Sequence, residues 1–270
     1  MIFVNEPLDE GLLQAALPEW RVVCLARTAS TNDEARRMAA EGTPDRTVIL
    51  AEEQLAGRGR RGARWVSPRG RNGILSALVR PGPELRVEHW PRLTLAAALA
   101  GCDALDAVPG LSARAEIKWP NDLYLSGRKV AGILVESAVG AQGGAVVIGC
   151  GFNLNMELTD FPPGLQETAT SVWLECGGLV VDRARFLTDF LQALDDRCQE
   201  AASHFSSIRD EAWARSWLAE RRVTLLAGGQ ELEGVVKGLG AGGELLLRMD
   251  DGEVRVISSA DLVRPIQGGS

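Results

Sequence analysis

The stretch KWPNDLYLSGRKVAGILVES, residues 118–137, decides the fold that this sequence predicts. A proline cannot donate a ladder hydrogen bond, so Pro120 ends a strand that runs up to Trp119. Ser126 and Gly127 then lie between two apolar runs, which is the pattern of a β-hairpin turn. The stretch therefore predicts a strand, a break and a hairpin.

The same stretch places two lysines around one structural unit. Lys118 and Lys129 fall on the two sides of the break and hairpin. Gly132 would let a substrate approach its strand with no side chain in the way. On spacing alone, the favoured interpretation is an ordinary amphipathic hairpin with exposed lysines, and a substrate site is the alternative.

An arginine-rich loop precedes this hairpin. The segment around GRGRRG, residues 57–62, contains six arginines, which are Arg58, Arg60, Arg61, Arg64, Arg69 and Arg71. Like charges this close repel each other, and ordered glycine costs backbone entropy. The segment is either a solvated basic loop or an anion site that becomes ordered when a phosphate binds.

The composition argues against a general affinity for nucleic acid or membranes. The 270 residues carry a formal net charge of −7 and the pI is near 5.1, so the positive charge is local. Five cysteines without a C-x-x-C pair favour a reducing compartment over disulfides or a zinc site. Because there is no leader-like start and no apolar run of about 18 residues, we expect a soluble, cytoplasmic protein.

Strands and helices are predicted in mixed order along the chain. Strands are expected at 21–27, 47–53, 73–81 and 143–155, and helices at 30–42, 90–107, 183–203 and 208–221. From about residue 222, short strands alternate with glycine-rich turns at intervals of about 8–12 residues, which is typical of a small β-barrel. The sequence thus predicts one domain at 1–221 and a second at 222–270.

The two histidines give little support to acid–base or metal chemistry. His89 and His204 lie in segments without other reactive groups. A Ser-His-Asp or Cys-His mechanism and a histidine metal centre are therefore poorly supported. Any catalysis should depend on positioning and on cationic stabilisation.

Five motifs in order resemble the biotin protein ligase family. They are STN at 30–32, Q-x-x-GRGRRG at 54–62 with Trp65, KWPND at 118–122, K-x-AGIL-x-E at 129–136 and G-x-G-x-N at 149–153. One Gly/Arg loop alone would be weak, but five ordered motifs are specific. The resemblance runs through 28–175. It implies an α+β fold, with a mixed-sheet catalytic domain of the biotin/lipoate ligase type and a small C-terminal SH3-like β-barrel.

The resemblance also implies a reaction. Biotin would be activated by ATP as biotinyl-5'-AMP, with Mg²⁺ screening the polyphosphate. The biotinyl group would then pass to a lysine of a biotin carboxyl carrier protein domain of a biotin-dependent carboxylase. Neither nucleic acid nor a membrane is an expected partner, and the family allows a homodimer. Only about 29 residues precede the STN motif, so no repressor module is expected.

The resemblance assigns a role to each candidate site residue. Biotin contacts fall on Ser30, Thr31, Gln54, Gly57, Arg58, Trp65, Lys129 and Gly132. ATP contacts fall on Arg58, Arg60, Arg61, Trp65, Lys118, Asn121, Lys129 and Asn153. Lys129 and Arg60 are the expected catalytic cations, and the metal ligands are unassigned. Asn32 is expected to hold a turn, and for Asp122 a turn role and a ligand role are both open.

The arginine loop is expected to act as a lid, with one departure from the family pattern. Mutual repulsion should leave it mobile until the adenylate supplies an anion, after which closure would protect the anhydride from water. The family commonly has an arginine directly after the last loop glycine, where this chain has Ala63 followed by Arg64. A shift by one residue moves a side chain by several ångströms. Retention of the intermediate is thus the step that this departure affects.

Two other functions compete with this interpretation. A lipoate–protein ligase would share the fold and the adenylate strategy, but Ser30 and Thr31 suit a polar ureido ring. A basic loop that binds RNA phosphates would need positive charge spread over a face, with stacking aromatic residues nearby. The acidic chain has a single tyrosine, Tyr124, which disfavours RNA binding.

Overall fold

A computed structural model describes residues 6–140 and 143–266. Residues 1–5 and 267–270, the outer ends of the two predicted domains, and residues 141–142 lie outside the described part. The larger unit contains a seven-stranded sheet built from β1 (Arg21–Leu25), β2 (Thr47–Ala51), β3 (Gly73–Val79), β4 (Glu116–Lys118), β5 (Asp122–Leu125), β6 (Arg128–Gly140) and β7 (Gly143–Phe152).

The sheet is mixed, with strand order β1-β2-β3-β7-β6-β5-β4. Strands β1 and β2 run parallel, and the other described neighbours run antiparallel. The hairpin predicted at Ser126 and Gly127 is confirmed, because these residues link β5 to β6 with φ angles of 49° and 75°. Positive φ at both central residues matches the right-handed twist of the two strands.

Helices cover both faces of the sheet. The described α-helices are α1 (Glu10–Ala16), α2 (Thr31–Ala40), α3 (Leu93–Asp106), α4 (Val172–Glu175), α5 (Arg183–Ser203) and α6 (Phe205–Ala214). Helix α3 is apolar nearly all round and is buried with α5 in the main core. Helix α2 packs on the opposite face through Ala35 and Ala39. The N-terminal end of α2 consequently reaches the middle strands.

A second sheet follows from residue 222 onward. It is antiparallel and consists of β8 (Arg222–Ala227), β9 (Gln230–Leu239), β10 (Leu245–Arg248), β11 (Val254–Ile257) and β12 (Leu262–Pro265), in the order β11-β10-β9-β8-β12. The predicted α+β class, with a small C-terminal unit of strands, is confirmed. The domain boundary at 221 stays a prediction.

The last predicted helix, 208–221, is wrong over its second half. Helix α6 ends at Ala214, and the chain that follows pairs with β4. The Ile117 N–H donates to the Arg215 carbonyl at 2.8 Å, and the Trp217 N–H donates to the Ile117 carbonyl at 2.9 Å. These hydrogen bonds to a sheet edge replace those of a continued helix.

Candidate active site

The start of helix α2 forms one wall of a cavity. Ser30 occupies the N-cap position in an extended conformation, yet its side chain makes no capping hydrogen bond. Thr31 is the first helical residue, and both residues line the cavity. The Ser30 hydroxyl is therefore not used to cap the helix.

A chain of hydrogen bonds fixes the polar groups of this wall. The Gln54 Oε1 atom accepts the Thr31 N–H at 2.8 Å and the Thr31 hydroxyl at 3.1 Å. The buried Ser76 hydroxyl lies 2.8 Å from Thr31 Oγ1 and 2.6 Å from Asn32 Oδ1. Because the Gln54 oxygen is occupied twice, its amide nitrogen is the group that can bind a ligand oxygen. The motifs did not indicate Ser76.

Two carboxylates extend this chain to the arginine loop. Asn32 Nδ2 donates to Glu136 Oε2 at 2.7 Å. The Arg58 guanidinium donates to Asp33 at 2.6 Å and to the same Glu136 oxygen at 3.2 Å. A Cβ atom on Gly149 would overlap the Asn32 side chain, so this packing requires a glycine. Asp33 and Glu136 were also missed as site residues, although both lie within or beside the motifs.

Arg60 and Arg61 of the same loop also have partners. Arg60 Nη1 donates to Asn121 Oδ1 at 3.3 Å, and Arg61 forms an ion pair with Asp261. Burial lowers the pKa of the Arg60 guanidinium, and the neighbouring charge of Arg61 lowers it further. The loop thus contacts the hairpin and the C-terminal unit. Its predicted mobility without ligand stays a prediction.

The indole of Trp65 lies on glycines of the sheet. A Cβ atom on Gly151 would come within 2.5 Å of Trp65 Cε2, and one on Gly132 within 3.2 Å of Cζ3. The Trp65 Nε1 atom is buried and has no hydrogen-bond partner among the described residues. Lys129 Nζ lies 5.6 Å from the indole centroid. The two glycines provide a flat surface on which a ring can lie.

Two lysines and one carboxylate form the cationic side of the cavity. Lys129 Nζ lies 2.7 Å from Asp122 Oδ1. Lys118 Nζ lies 3.1 Å from the Tyr124 hydroxyl oxygen. Burial lowers the pKa of the Lys118 ammonium, because removal from water disfavours its charged form. Both lysines and Asp122 line the cavity, so they are not simply exposed residues of an amphipathic hairpin.

The cavity has a volume of about 590 Å³ and collects most of the predicted site residues. Those that line it are Ser30, Thr31, Gln54, Arg58, Arg60, Arg61, Trp65, Lys118, Asn121, Lys129 and Gly132. The C-terminal unit adds Ala260, Asp261 and Val263 to the wall. A site built by both units was not predicted from the motifs.

Two predicted site residues, Gly57 and Asn153, are absent from the cavity lining. The Gly57 carbonyl accepts the Trp65 N–H at 2.9 Å and so closes the base of the loop. Asn153 is buried and donates from Nδ2 to the Thr170 carbonyl at 3.0 Å. Its N–H also donates to the carbonyl of Val130, the residue after Lys129, at 2.8 Å, and its role at ATP stays a prediction.

The described residues contain no group of three or more His, Cys, Asp or Glu side chains that could hold a metal ion. Within the same part of the chain, none of the helices has the length and apolar character needed to cross a membrane.

Comparison with known proteins identifies the family. Residues 24–153 match the biotin/lipoate A/B protein ligase family, and residues 220–263 match the biotin protein ligase C-terminal domain. A biotin--[acetyl-CoA-carboxylase] ligase from Mycobacterium tuberculosis is 36% identical over 270 residues, covering 96% of this chain and 97% of that protein. The chain belongs to the biotin protein ligase family.

Other members of the biotin protein ligase family match over similar lengths. A biotin--[acetyl-CoA-carboxylase] ligase from Paracoccus denitrificans is 38% identical over 244 residues, which cover 88% of this chain and 98% of that protein. The fold is shared with a biotin protein ligase from Aquifex aeolicus solved in complex with biotin and ATP. That structure has a TM-score of 0.78 and 24% identity, and the match covers 91% of this chain and 99% of that chain. As a biotin protein ligase, this chain is an enzyme.

Proposed function

We propose that this enzyme uses ATP to activate biotin as biotinyl-5'-AMP and then transfers the biotinyl group to a lysine of a biotin carboxyl carrier protein domain. The observation that carries the proposal is that a single cavity is lined both by hydroxyl and amide groups and by lysine and arginine cations. A ureido ring offers two N–H donors and one acceptor oxygen, which suit Ser30, Thr31 and Gln54. The relatives named as acetyl-CoA-carboxylase ligases support the choice of acceptor.

In the first step, a carboxylate oxygen of biotin attacks the α-phosphorus of ATP. A carbon–oxygen–phosphorus anhydride forms, the bond between the α-phosphorus and the bridging oxygen breaks, and pyrophosphate leaves with the electron pair. Negative charge develops on the phosphate oxygens, where preorganised cations lower the barrier. Lys129 supplies the cation at the reacting groups, and Asp122, at 2.7 Å, holds its ammonium in place.

In the second step, the acceptor lysine amine attacks the acyl carbon of the adenylate. An amide bond forms, the acyl–oxygen bond breaks, AMP leaves with the electron pair and the amine loses a proton. No covalent intermediate on the enzyme is required. Arg58, Arg60 and Arg61 lie on the loop beside the cavity, where closure would exclude water from the reactive anhydride.

Mg²⁺ fits this cavity as an ion that accompanies ATP. Magnesium prefers oxygen ligands and is commonly held by one or two carboxylates together with substrate phosphates. Asp122 is the carboxylate beside Lys129, and the Asn121 side chain adds an amide oxygen to the same wall. The ion would screen the charge of the polyphosphate.

Exchange of labelled pyrophosphate into ATP tests the first step. We expect exchange that depends on biotin, because adenylation is reversible while pyrophosphate is present. Exchange that depends on lipoate instead would select a lipoate ligase, and no exchange with either acid would remove the adenylate mechanism. Transfer is tested separately by the mass gain of a purified carrier domain.

Sedimentation of the full chain tests the homodimer that the resemblance allows.

A further inference from the structure

The ammonium of Lys118 stands beside two stacked aromatic rings. Its Nζ atom lies 3.1 Å from the Tyr124 hydroxyl oxygen, 5.2 Å from the Tyr124 ring centroid and 5.3 Å from the Trp217 ring centroid. The ring centroids of Tyr124 and Trp217 are 4.9 Å apart, with 22° between the ring planes. Lys118 lines the cavity, whereas the two aromatic residues are absent from its lining. The rings therefore contact the cation from outside the cavity.

The strand that carries Lys118 also fixes the position of Trp217. The Ile117 N–H donates to the Arg215 carbonyl, and the Trp217 N–H donates to the Ile117 carbonyl. The Arg215 guanidinium in turn donates to Asp106 at 2.6 Å, which anchors this segment to helix α3. Trp217 is thus placed by two backbone hydrogen bonds beside Lys118, even though it is far away in the sequence.

We infer that Tyr124 and Trp217 are positioning residues that hold the Lys118 ammonium toward the polyphosphate of ATP. This inference rests on the proposed function, because it takes ATP as the anionic ligand of the cavity. An ammonium has three N–H donors, and the Tyr124 oxygen accepts one of them. The other two donors remain for phosphate oxygens. The aromatic rings stabilise the cation but carry no charge, whereas a carboxylate would place a negative charge beside it.

Packing alone would be a different role for the same rings. Trp217 also contacts the apolar cluster of the C-terminal unit, so its loss could weaken the structure without involving Lys118. Trp213 provides a matched control. It is another half-buried tryptophan, lies on α6, and packs against the same cluster. A positioning role requires that the effect of the rings pass through Lys118.

The test is a double-mutant cycle on the full-length enzyme, with kcat and both KM values taken from biotin-dependent pyrophosphate exchange. We expect Tyr124→Phe to raise the KM for ATP about threefold or more, since a hydrogen bond to a charged group is lost. Trp217→Leu should raise it about tenfold. The KM for biotin should change less than about twofold in both variants. In a Lys118→Met background, neither substitution should change the KM for ATP further.

Three results would overturn the inference. They are an unchanged KM for ATP, an equal rise in the KM for biotin, and the same effects in the presence and absence of Lys118. A rise in the KM for ATP in Trp213→Leu as large as that in Trp217→Leu would also assign the effect to packing. If the unaltered enzyme shows no biotin-dependent exchange, the proposed function fails instead, so the two failures are distinguishable.

A binding measurement supports the cycle without relying on turnover. Tyr124 is the only tyrosine in the chain, so labelling with 3-fluorotyrosine gives a single ¹⁹F resonance. Addition of ATP should shift this resonance in the otherwise unaltered enzyme and should leave it in place in Lys118→Met. A resonance that does not respond to ATP in the enzyme with Lys118 would contradict the inference, even if Trp217→Leu failed to fold.

Discussion

At Lys129, a single ammonium lies near a carboxylate and the face of an indole. Asp122 Oδ1 is 2.7 Å away, and the centroid of Trp65 is 5.6 Å away. The carboxylate holds the ammonium in the cavity, and the indole stabilises the ammonium without adding a second negative charge. A positive charge held in this way stabilises the charge that develops on a phosphate without prior reorganisation.

Replacing Lys129 should therefore reduce the rate of adenylation. We expect Lys129→Ala to slow biotin-dependent pyrophosphate exchange by on the order of 10²-fold or more, with an unchanged circular dichroism spectrum. The control is Lys237→Ala, which removes a lysine paired with Glu220 on the C-terminal unit. A rate for Lys129→Ala near that of the unaltered enzyme would show that another group is the catalytic cation.

The glycine surface under Trp65 gives a second prediction at this scale. Gly151→Ala should raise the KM for biotin at least about fivefold, because the new Cβ atom would lie 2.5 Å from the indole and displace it. Gly164→Ala is the control, since a Cβ atom there meets nothing within 4 Å. Equal KM values for the two variants would mean that the position of the indole does not affect biotin binding.

Among the elements, the arginine loop is held by neighbours that lie far away in the sequence. Arg58 reaches Asp33 on α2 and Glu136 on β6, and Arg60 reaches Asn121 between β4 and β5. The ion pairs of Arg58 with Asp33 and Glu136 are partly exposed to solvent and are individually weak. We therefore expect Arg58 to exchange its carboxylate partners for a phosphate when ATP binds.

The rate of trypsin cleavage in the arginine loop measures whether the loop closes when ligand binds. Biotin together with ATP should slow trypsin cleavage between Arg58 and Arg64, because a closed loop is less accessible. Without ligand, Glu136→Gln should speed cleavage up to about fivefold, since a neutral amide holds Arg58 less strongly. The control is Glu233→Gln on β9, which alters a contact with Arg222 on β8. Cleavage that biotin and ATP do not affect would contradict the lid.

The site residues that the sequence predicted are those that lie within short motifs. The hairpin turn follows from residue types at close spacing, whereas most of the cavity lining was predicted through the resemblance of five ordered motifs to a known family. Ser76, Glu136 and Trp217 could not be found in this way, since each acts on a residue that only the folded sheet brings near. Helix α6 shows the same limit, because hydrogen bonds from Ile117 override the helical preference of the residues after Ala214.

At the scale of the whole molecule, two units share one cavity. Ala260, Asp261 and Val263 of the C-terminal unit complete a wall that otherwise belongs to the mixed sheet. Trp119 is buried in the apolar cluster of the C-terminal unit, and its Nε1 atom donates to the Gly243 carbonyl at 3.0 Å. The motif that carries Lys118 therefore also fastens the two units together.

Trp119→Phe should weaken this attachment. The ring stays apolar, but the Gly243 carbonyl loses its donor, so we expect the free energy of unfolding to fall by about 1–2 kcal/mol. Urea denaturation measures the change, with Trp173→Phe on α4 as the control. An unfolding free energy equal to that of the control would mean that the hydrogen bond contributes nothing to the attachment.

The resting position of Trp65 has a consequence for inhibitors. Its indole already covers the bare patch of Gly132 and Gly151, so a flat compound aimed at that patch must first lift the indole off it. The measured affinity of such a compound then reflects its own contact with the two glycines minus the indole contact that it replaces. A compound that leaves the tryptophan in place and binds the rest of the cavity avoids that competition.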